Sequence, residues 1–370
     1  MKVPMADLRA QYQSIRHEID SAVHAVMENG RFILGENVKA LEEEVAKYCG
    51  AAYGIGVASG TDAIVLALSA IGIEPGDEVL TIPFTFIATV EAIALLRARP
   101  VCVDIDPATF NLDPERIEEK ITDRTKAILP VHLYGQAADV AHISEIASRH
   151  GLRVIYDGAQ AIGAEALGRP IGEYGDAVAL SFFPTKNLGA AGDGGMVLTN
   201  DPDLAEKLRF LRFHGSGGTY SYRHIGYCSR LDEIQAAILR AKLPRLNEWT
   251  ELRRRNAGTY RNLLSGTNIK LPDEKPGNKH VYHQFTIRCS ERDRLKEHLK
   301  CKEIDTGVYY ASPLHLEEAY GYLGYAPGDF PEAERACREV LSLPIFPEMT
   351  KRQLEYVARS IRSFYEAESS

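Results

Sequence analysis

Lys186 lies in the stretch SFFPTKNLGAAGDGG (181–195), between an apolar run ending in Phe182-Phe183 and a glycine-rich turn, where its amine would lose part of its hydration. Burial disfavours the ammonium form, so an amine placed there becomes nucleophilic. Upstream, the run Leu152 to Tyr156 ends in Asp157-Gly158-Ala159-Gln160, so a second strand delivers a carboxylate at its C-terminal end. A lysine and a carboxylate at adjacent strand ends suit pyridoxal phosphate, which needs a Schiff-base amine and an acidic partner for its ring nitrogen. Taken alone, Asp157 also serves as a turn residue before Gly158.

The same residues sit in a set of ordered motifs. DGAQA (157–161) followed by SFFPTKNLGAAGDGG resembles the DegT/DnrJ/EryC1/StrS family of pyridoxal phosphate enzymes, chiefly nucleotide-sugar aminotransferases. The likeness runs from VPMADLRAQY (3–12), through GRFILG (30–35) and SGTDA (59–63), to GYCSRLDEIQAAIL (226–239) and LSLPIFP (341–347). The resemblance implies the aspartate aminotransferase-like fold type I, with Lys186 forming the Schiff base and shuttling the proton between substrate and cofactor carbons. It implies Asp157 at the ring nitrogen, Gln160 at the ring's hydroxyl side and Phe86 stacked on the ring face, with Phe84 as the core phenylalanine. Gly60, Thr61 and Ser181 would meet the phosphate. A helix start such as SGT presents N–H groups and a positive dipole end to any anion, so the motif by itself is weak.

The resemblance further implies a homodimer with shared sites, a nucleotide-linked keto-sugar as acceptor and L-glutamate as donor. Cys228 stands where relatives commonly carry an asparagine that reaches across the dimer interface to the cofactor phosphate, and a thiol is the poorer hydrogen-bonding group. Ser229 and Arg230 remain to meet phosphate or carboxylate groups. Tyr309-Tyr310 replaces a common histidine-tyrosine pair, a change that bears on sugar recognition. Tyr220 belongs to the loop FHGSGGTYSYRHIGY (213–227), ordered by substrate or a neighbouring subunit if it is not a plain solvent loop. That loop resembles those of enzymes acting on 3-keto-6-deoxy sugars, so C3 amination is the expectation and C4 amination the alternative. A catalytically idle scaffold or regulator is the other alternative, opposed by Lys186, Asp157 and Gln160. Family dehydratases replace the lysine with histidine, so Lys186 argues against that branch, and no GxGxxG follows the first strand to suggest a dinucleotide site.

The elements that must position these residues are legible in the periodicity. Short apolar runs (GIGVAS, EVLTIP, PVCVDID, AILPVHLYG, RVIYD, AVALSFF) alternate with helical segments, the pattern of βαβ units. The fold class is α/β, a mostly parallel sheet covered by helices on both faces, with ligands beyond the carboxyl ends of the strands. One helix is expected over Leu8–Asn29 with Gly30 as its C-cap, and another carries Val38, Leu41 and Val45. With 370 residues the chain exceeds the size at which domains tend to split. We place a large cofactor-binding domain at 1–244 and a small α+β domain at 245–370, with the boundary at Pro244.

A net charge of −8 argues against nucleic acid or an acidic membrane as main partner. No apolar run is long enough to span a bilayer and no signal peptide opens the chain, so a cytoplasmic location is expected. The six scattered cysteines read as free thiols. The pair His280/His283 sits in a strand-like run that points the two rings apart and is set aside as a metal site, as are Asp104, Asp106 and Asp113. Arg253-Arg254-Arg255 reads as a solvated helix face.

Overall fold

The computed structural model describes residues 1–218 and 221–368. Strands β1 (Tyr53–Val57), β2 (Glu78–Thr81), β3 (Arg99–Cys102), β4 (Thr125–Ile128), β5 (Arg153–Asp157), β6 (Ala177–Ser181) and β7 (Gly195–Thr199) form one sheet in the order β1-β7-β6-β5-β4-β2-β3. The five strands from β6 to β3 are parallel; β7 runs antiparallel between β1 and β6.

Alternation along the strands fills both faces. Leu80, Tyr156, Val178, Leu180, Met196 and Leu198 enter one core, shared with α3 (Glu36–Tyr48), α6 (Val140–His150) and α8 (Glu233–Lys242). Val79, Ile155, Ala177, Ala179 and Val197 enter the other, against α4 (Gly60–Ala70), α5 (Ile87–Leu95) and α7 (Pro202–Leu211). The alanines on that side let α4 approach closely, and α4 is apolar nearly all round because it is buried nearly all round.

The chain beyond residue 245 packs a third core. The helix Leu246–Leu264, the antiparallel pair Phe285–Arg288 with Val340–Leu343, and the helices Arg292–Cys301 and Lys351–Glu368 enclose Tyr260, Phe285, Leu295, Leu341 and Val357. Val3 joins this core, its N–H bonded to the Glu303 carbonyl at 2.9 Å, so the first residues pack with the C-terminal third, which a single boundary at Pro244 does not describe. Asp104 accepts from the N–H groups of Glu332 and Ala333 at 3.0 and 2.9 Å and so caps the helix Pro331–Glu339.

Three local expectations change. The first helix is two, Leu8–Ser14 and Arg16–Asn29, because Ile15 leaves helical dihedrals and buries its side chain with Ile19, Ile238 and Trp249; Gly30 does cap the second in the left-handed region. Arg253 is 6% exposed, not solvated: it donates to the carbonyls of Tyr282 and Ile345, while Arg254 pairs with Glu274. The strand before the lysine ends at Ser181, two residues earlier than its apolar run suggests. All six cysteines are unpaired, and no helix among the described residues is long and apolar enough to cross a membrane.

Candidate active site

The lysine loop is built by anchors at both ends. Phe182, fully buried, donates to the Gly194 carbonyl and accepts from Ala190, each at 2.8 Å, closing residues 183–189 into a compact turn. Gly189 is required there, since a Cβ would lie 2.2 Å from the Pro184 carbonyl oxygen. Asn187 donates to the Val281 carbonyl at 3.1 Å, Gln235 accepts from the Ala191 N–H at 2.9 Å, and the buried Lys242 ammonium donates to the Gly189 carbonyl at 2.6 Å. These hold Lys186 half-buried, and among the described residues its amine has no hydrogen bond or ion pair. Burial pushes its pKa down to about 8, the Asp157 carboxylate opposing.

Asp157 ends β5 and is 5% exposed. Its Oδ2 accepts from the Thr89 hydroxyl at 2.7 Å and its Oδ1 from the Ala159 N–H at 3.0 Å. Burial raises its pKa, and those two donors and the Lys186 charge act against the rise. Gln160 accepts from the Tyr134 N–H at 2.7 Å and donates to the Tyr310 hydroxyl at 3.1 Å, leaving one amide hydrogen uncommitted. Phe86 caps the start of α5 and is 56% exposed, its ring 6.3 Å from that of Tyr310, whereas Phe84 is fully buried.

Gly60 opens α4 behind the N-cap Ser59 and abuts Ser181; a Cβ on Gly60 would lie 2.7 Å from the Ser181 Cβ. Gly195 is as tightly placed, its would-be Cβ 2.3 Å from the Ser59 carbonyl oxygen. Thr61 follows at the second helical position, partly exposed. The start of α4 and the end of β6 therefore lie directly against each other.

The residues of the 226–231 stretch are placed less uniformly. Ser229 is 1% exposed and committed within the chain, donating to Asp62 at 2.5 Å and accepting from the Ala58 N–H at 3.1 Å, so it is not free to meet a ligand. Arg230 donates to the Cys228 sulfur at 3.0 Å and lies over the Phe213 ring, and Cys228 is exposed. Tyr220 lies outside the described residues.

The site also gathers residues that sequence reasoning did not assign. Thr89 follows Phe86 by three positions, one face of α5, which is the signal that could have found it. His283, 8% exposed, has Nδ1 3.3 Å from the Asn187 side-chain oxygen, and burial with the Lys186 and Arg253 charges drives its pKa well below the ordinary histidine value. His280 instead accepts from the Tyr282 N–H and stacks on that ring at 4.0 Å. Among the described residues no group of His, Cys, Asp and Glu is arranged to hold a metal.

An amine unpartnered among the described residues, a fixed carboxylate, an exposed aromatic face and a helix start opened by Gly60 form a donor set that fits pyridoxal phosphate. The comparisons agree. Residues 13–362 match the DegT/DnrJ/EryC1/StrS aminotransferase family. The chain is 54% identical to a "Pleiotropic regulatory protein" of Geobacillus stearothermophilus over 99% of each chain. It is 49% identical, over 97% of each, to a UDP-N-acetyl-3-dehydro-alpha-D-glucosamine 3-aminotransferase of Acidithiobacillus ferrooxidans. The crystal structure of DesV from S. venezuelae superposes with a TM-score of 0.97 at 45% identity, covering 99% of both chains.

Proposed function

The chain belongs to the DegT/DnrJ/EryC1/StrS aminotransferase family, and from that premise we propose that it moves an amino group from L-glutamate to C3 of a nucleotide-linked keto-sugar. It is a pyridoxal phosphate-dependent nucleotide-sugar aminotransferase; the donor and the carbon aminated are our reading. The observation that carries it is the Lys186 amine, without a hydrogen-bond partner among the described residues and with its pKa pushed down to about 8, set against the Asp157 carboxylate.

Bound pyridoxal phosphate supplies a carbonyl that condenses with amines and a ring that takes up the electrons released at the substrate carbon. The chain's residues supply the rest. Lys186 Nζ, its pKa pushed down to about 8, would hold and release the proton that moves between the substrate carbon and the cofactor carbon, work that positioned acid-base groups perform with gains of about 10²- to 10⁴-fold. Asp157 would hold the ring nitrogen with its carboxylate, and the spare Gln160 amide hydrogen would be available to the ring's hydroxyl group. Phe86 covers the ring face. The N–H groups of Gly60 and Thr61, with the Ser181 hydroxyl, take the phosphate at the positive end of α4. Arg230 and Tyr220 are the proposed contacts to the substrate's anionic and sugar groups, and Ser229 acts only by holding Asp62 and Ala58. Phe183 is half exposed beside the lysine loop, a surface that a second copy in a homodimer would cover, with the partner's 228 position reaching the phosphate.

Absorption spectra of the cofactor-loaded protein before and after L-glutamate, repeated on Lys186→Ala, test the donor half. Conversion to the pyridoxamine form by the wild type and not by the variant supports the reading. A panel of 3-keto and 4-keto nucleotide sugars tests the acceptor half, and amine formed only at C4 would overturn the C3 assignment. The name of the Geobacillus relative favours a second reading as a regulator; a cofactor spectrum indifferent to every amino acid donor would move that reading ahead.

A further inference from the structure

Besides the Ala159 N–H on its Oδ1, Asp157 is held at Oδ2 by a directed pair of hydroxyls. Thr85 and Thr89 have their Oγ1 atoms 3.0 Å apart, and Thr89 lies 2.7 Å from Asp157 Oδ2; the threonines are 2% and 0% exposed. A carboxylate only accepts, so the single Thr89 proton is committed to Asp157, and Thr85 must then be the donor to Thr89. The order is therefore Thr85 to Thr89 to Asp157, with no water needed.

Both threonines flank Phe86. The Thr89 N–H bonds to the Phe86 carbonyl at 3.2 Å, so one helix turn sets the ring-face aromatic and the donor to the carboxylate together. We propose that Thr89, backed by Thr85, is a positioning residue that pins one carboxylate oxygen of Asp157 so that the carboxylate faces the ring nitrogen of pyridoxal phosphate. This rests on the reading of Asp157 given above.

The need for such a device follows from the surroundings. Burial acts against the ionised carboxylate, and three things oppose it: the Thr89 hydroxyl, the Ala159 N–H and the charge on Lys186. Lys186 is an inconstant support, because burial disfavours its charged form and the same amine is the one that would bond to the cofactor. The Tyr310 hydroxyl, bonded to Gln160, has its pKa raised by burial first and by the Asp157 charge second, so it adds no charge in support of the carboxylate. Thr89 and the Ala159 N–H are the supports that do not titrate. Without Thr89, Asp157 becomes the more basic partner and draws the proton from the ring nitrogen onto its own oxygen.

The test is the ¹⁵N chemical shift of the loaded protein carrying pyridoxal phosphate labelled at the ring nitrogen, which separates protonated from neutral nitrogen without reference to turnover. In Thr89→Val, close to threonine in shape, the neutral-nitrogen fraction is expected to rise about tenfold, since a hydrogen bond to a charged group is worth at least that factor. Thr89→Ser, which keeps the hydroxyl, is expected to restore the wild-type shift, as a packing role for the methyl group would not. Thr85→Val is expected to move the shift the same way by less, and it decides the question if Thr89→Val does not fold. Wild-type shifts in both valine variants would overturn the proposal while leaving Asp157 in place. Asp157→Asn separates the two claims: if it leaves the shift unmoved, the reading of Asp157 itself falls.

Discussion

The protonation of Lys186 in cofactor-free protein offers the sharpest test of the site. Its pKa of about 8 stands against an ordinary lysine value of 10.5. At pH 7 about one amine in ten would then be neutral, against about one in 3,000 for an ordinary lysine, a difference of about 300-fold in reactive form. Competitive acetylation across pH, with each lysine peptide followed by mass spectrometry, reads the midpoint directly. The midpoint is the proper quantity, because limited access scales the rate equally at every pH. Burial lowers the value and Asp157 raises it, so Asp157→Asn is expected to move the midpoint below 8. A Lys186 profile matching that of Lys351, whose side chain is 86% exposed, would refute the burial argument. An upward move in Asp157→Asn would refute the electrostatic one.

Gly195→Ala would drive a Cβ to 2.3 Å from the Ser59 carbonyl oxygen, backbone that cannot rotate away; a loss of about 3 kcal/mol in urea unfolding is expected, and one below about 1 would mean that α4 lifts off the strand without strain. Lys242, buried and bonded to the Gly189 carbonyl, has its pKa pushed down to about 8 by burial. A lowered lysine pKa means that the folded state sheds its proton before the unfolded state does, so the stability of the wild type relative to Lys242→Met should rise between pH 8 and 10.5. A pH-independent difference in unfolding midpoints would contradict this. Cys228→Asn is expected to bind pyridoxal phosphate at least as tightly as the wild type, with clearly weaker binding in a spectroscopic titration counting against the cross-subunit assignment.

Asp157 was legible in the sequence because it ends a strand beside Gly158, and Lys186 because it stands between an apolar run and a glycine-rich turn, where chemistry and periodicity speak together. The mostly parallel sheet was legible because both faces are buried and its strands read as short apolar runs. The residues that hold the chemistry in place were not. Gln160 meets Tyr310, 150 positions away, and Asn187 meets Val281, 94 away, and neither partner carries a local signature. Arg253 was misjudged for the same reason: charge patterning marks a solvated face unless remote carbonyls are offered, and those of Tyr282 and Ile345 are. Ser229 looked free in sequence only because Asp62 and Ala58 are distant in the chain.

The seating of Val3 beside Ile304 has a consequence in time. Chains emerge from the ribosome at about 5–20 residues per second, so with about 300 residues between them the partner of Val3 appears roughly 15–60 s after it. All seven strands of the sheet have been made once Thr199 has emerged, whereas the C-terminal core waits for the helix that ends the described chain. The first residues made are thus among the last to find their place, and folding intermediates caught during synthesis should hold a formed sheet with an N-terminus still open to proteases.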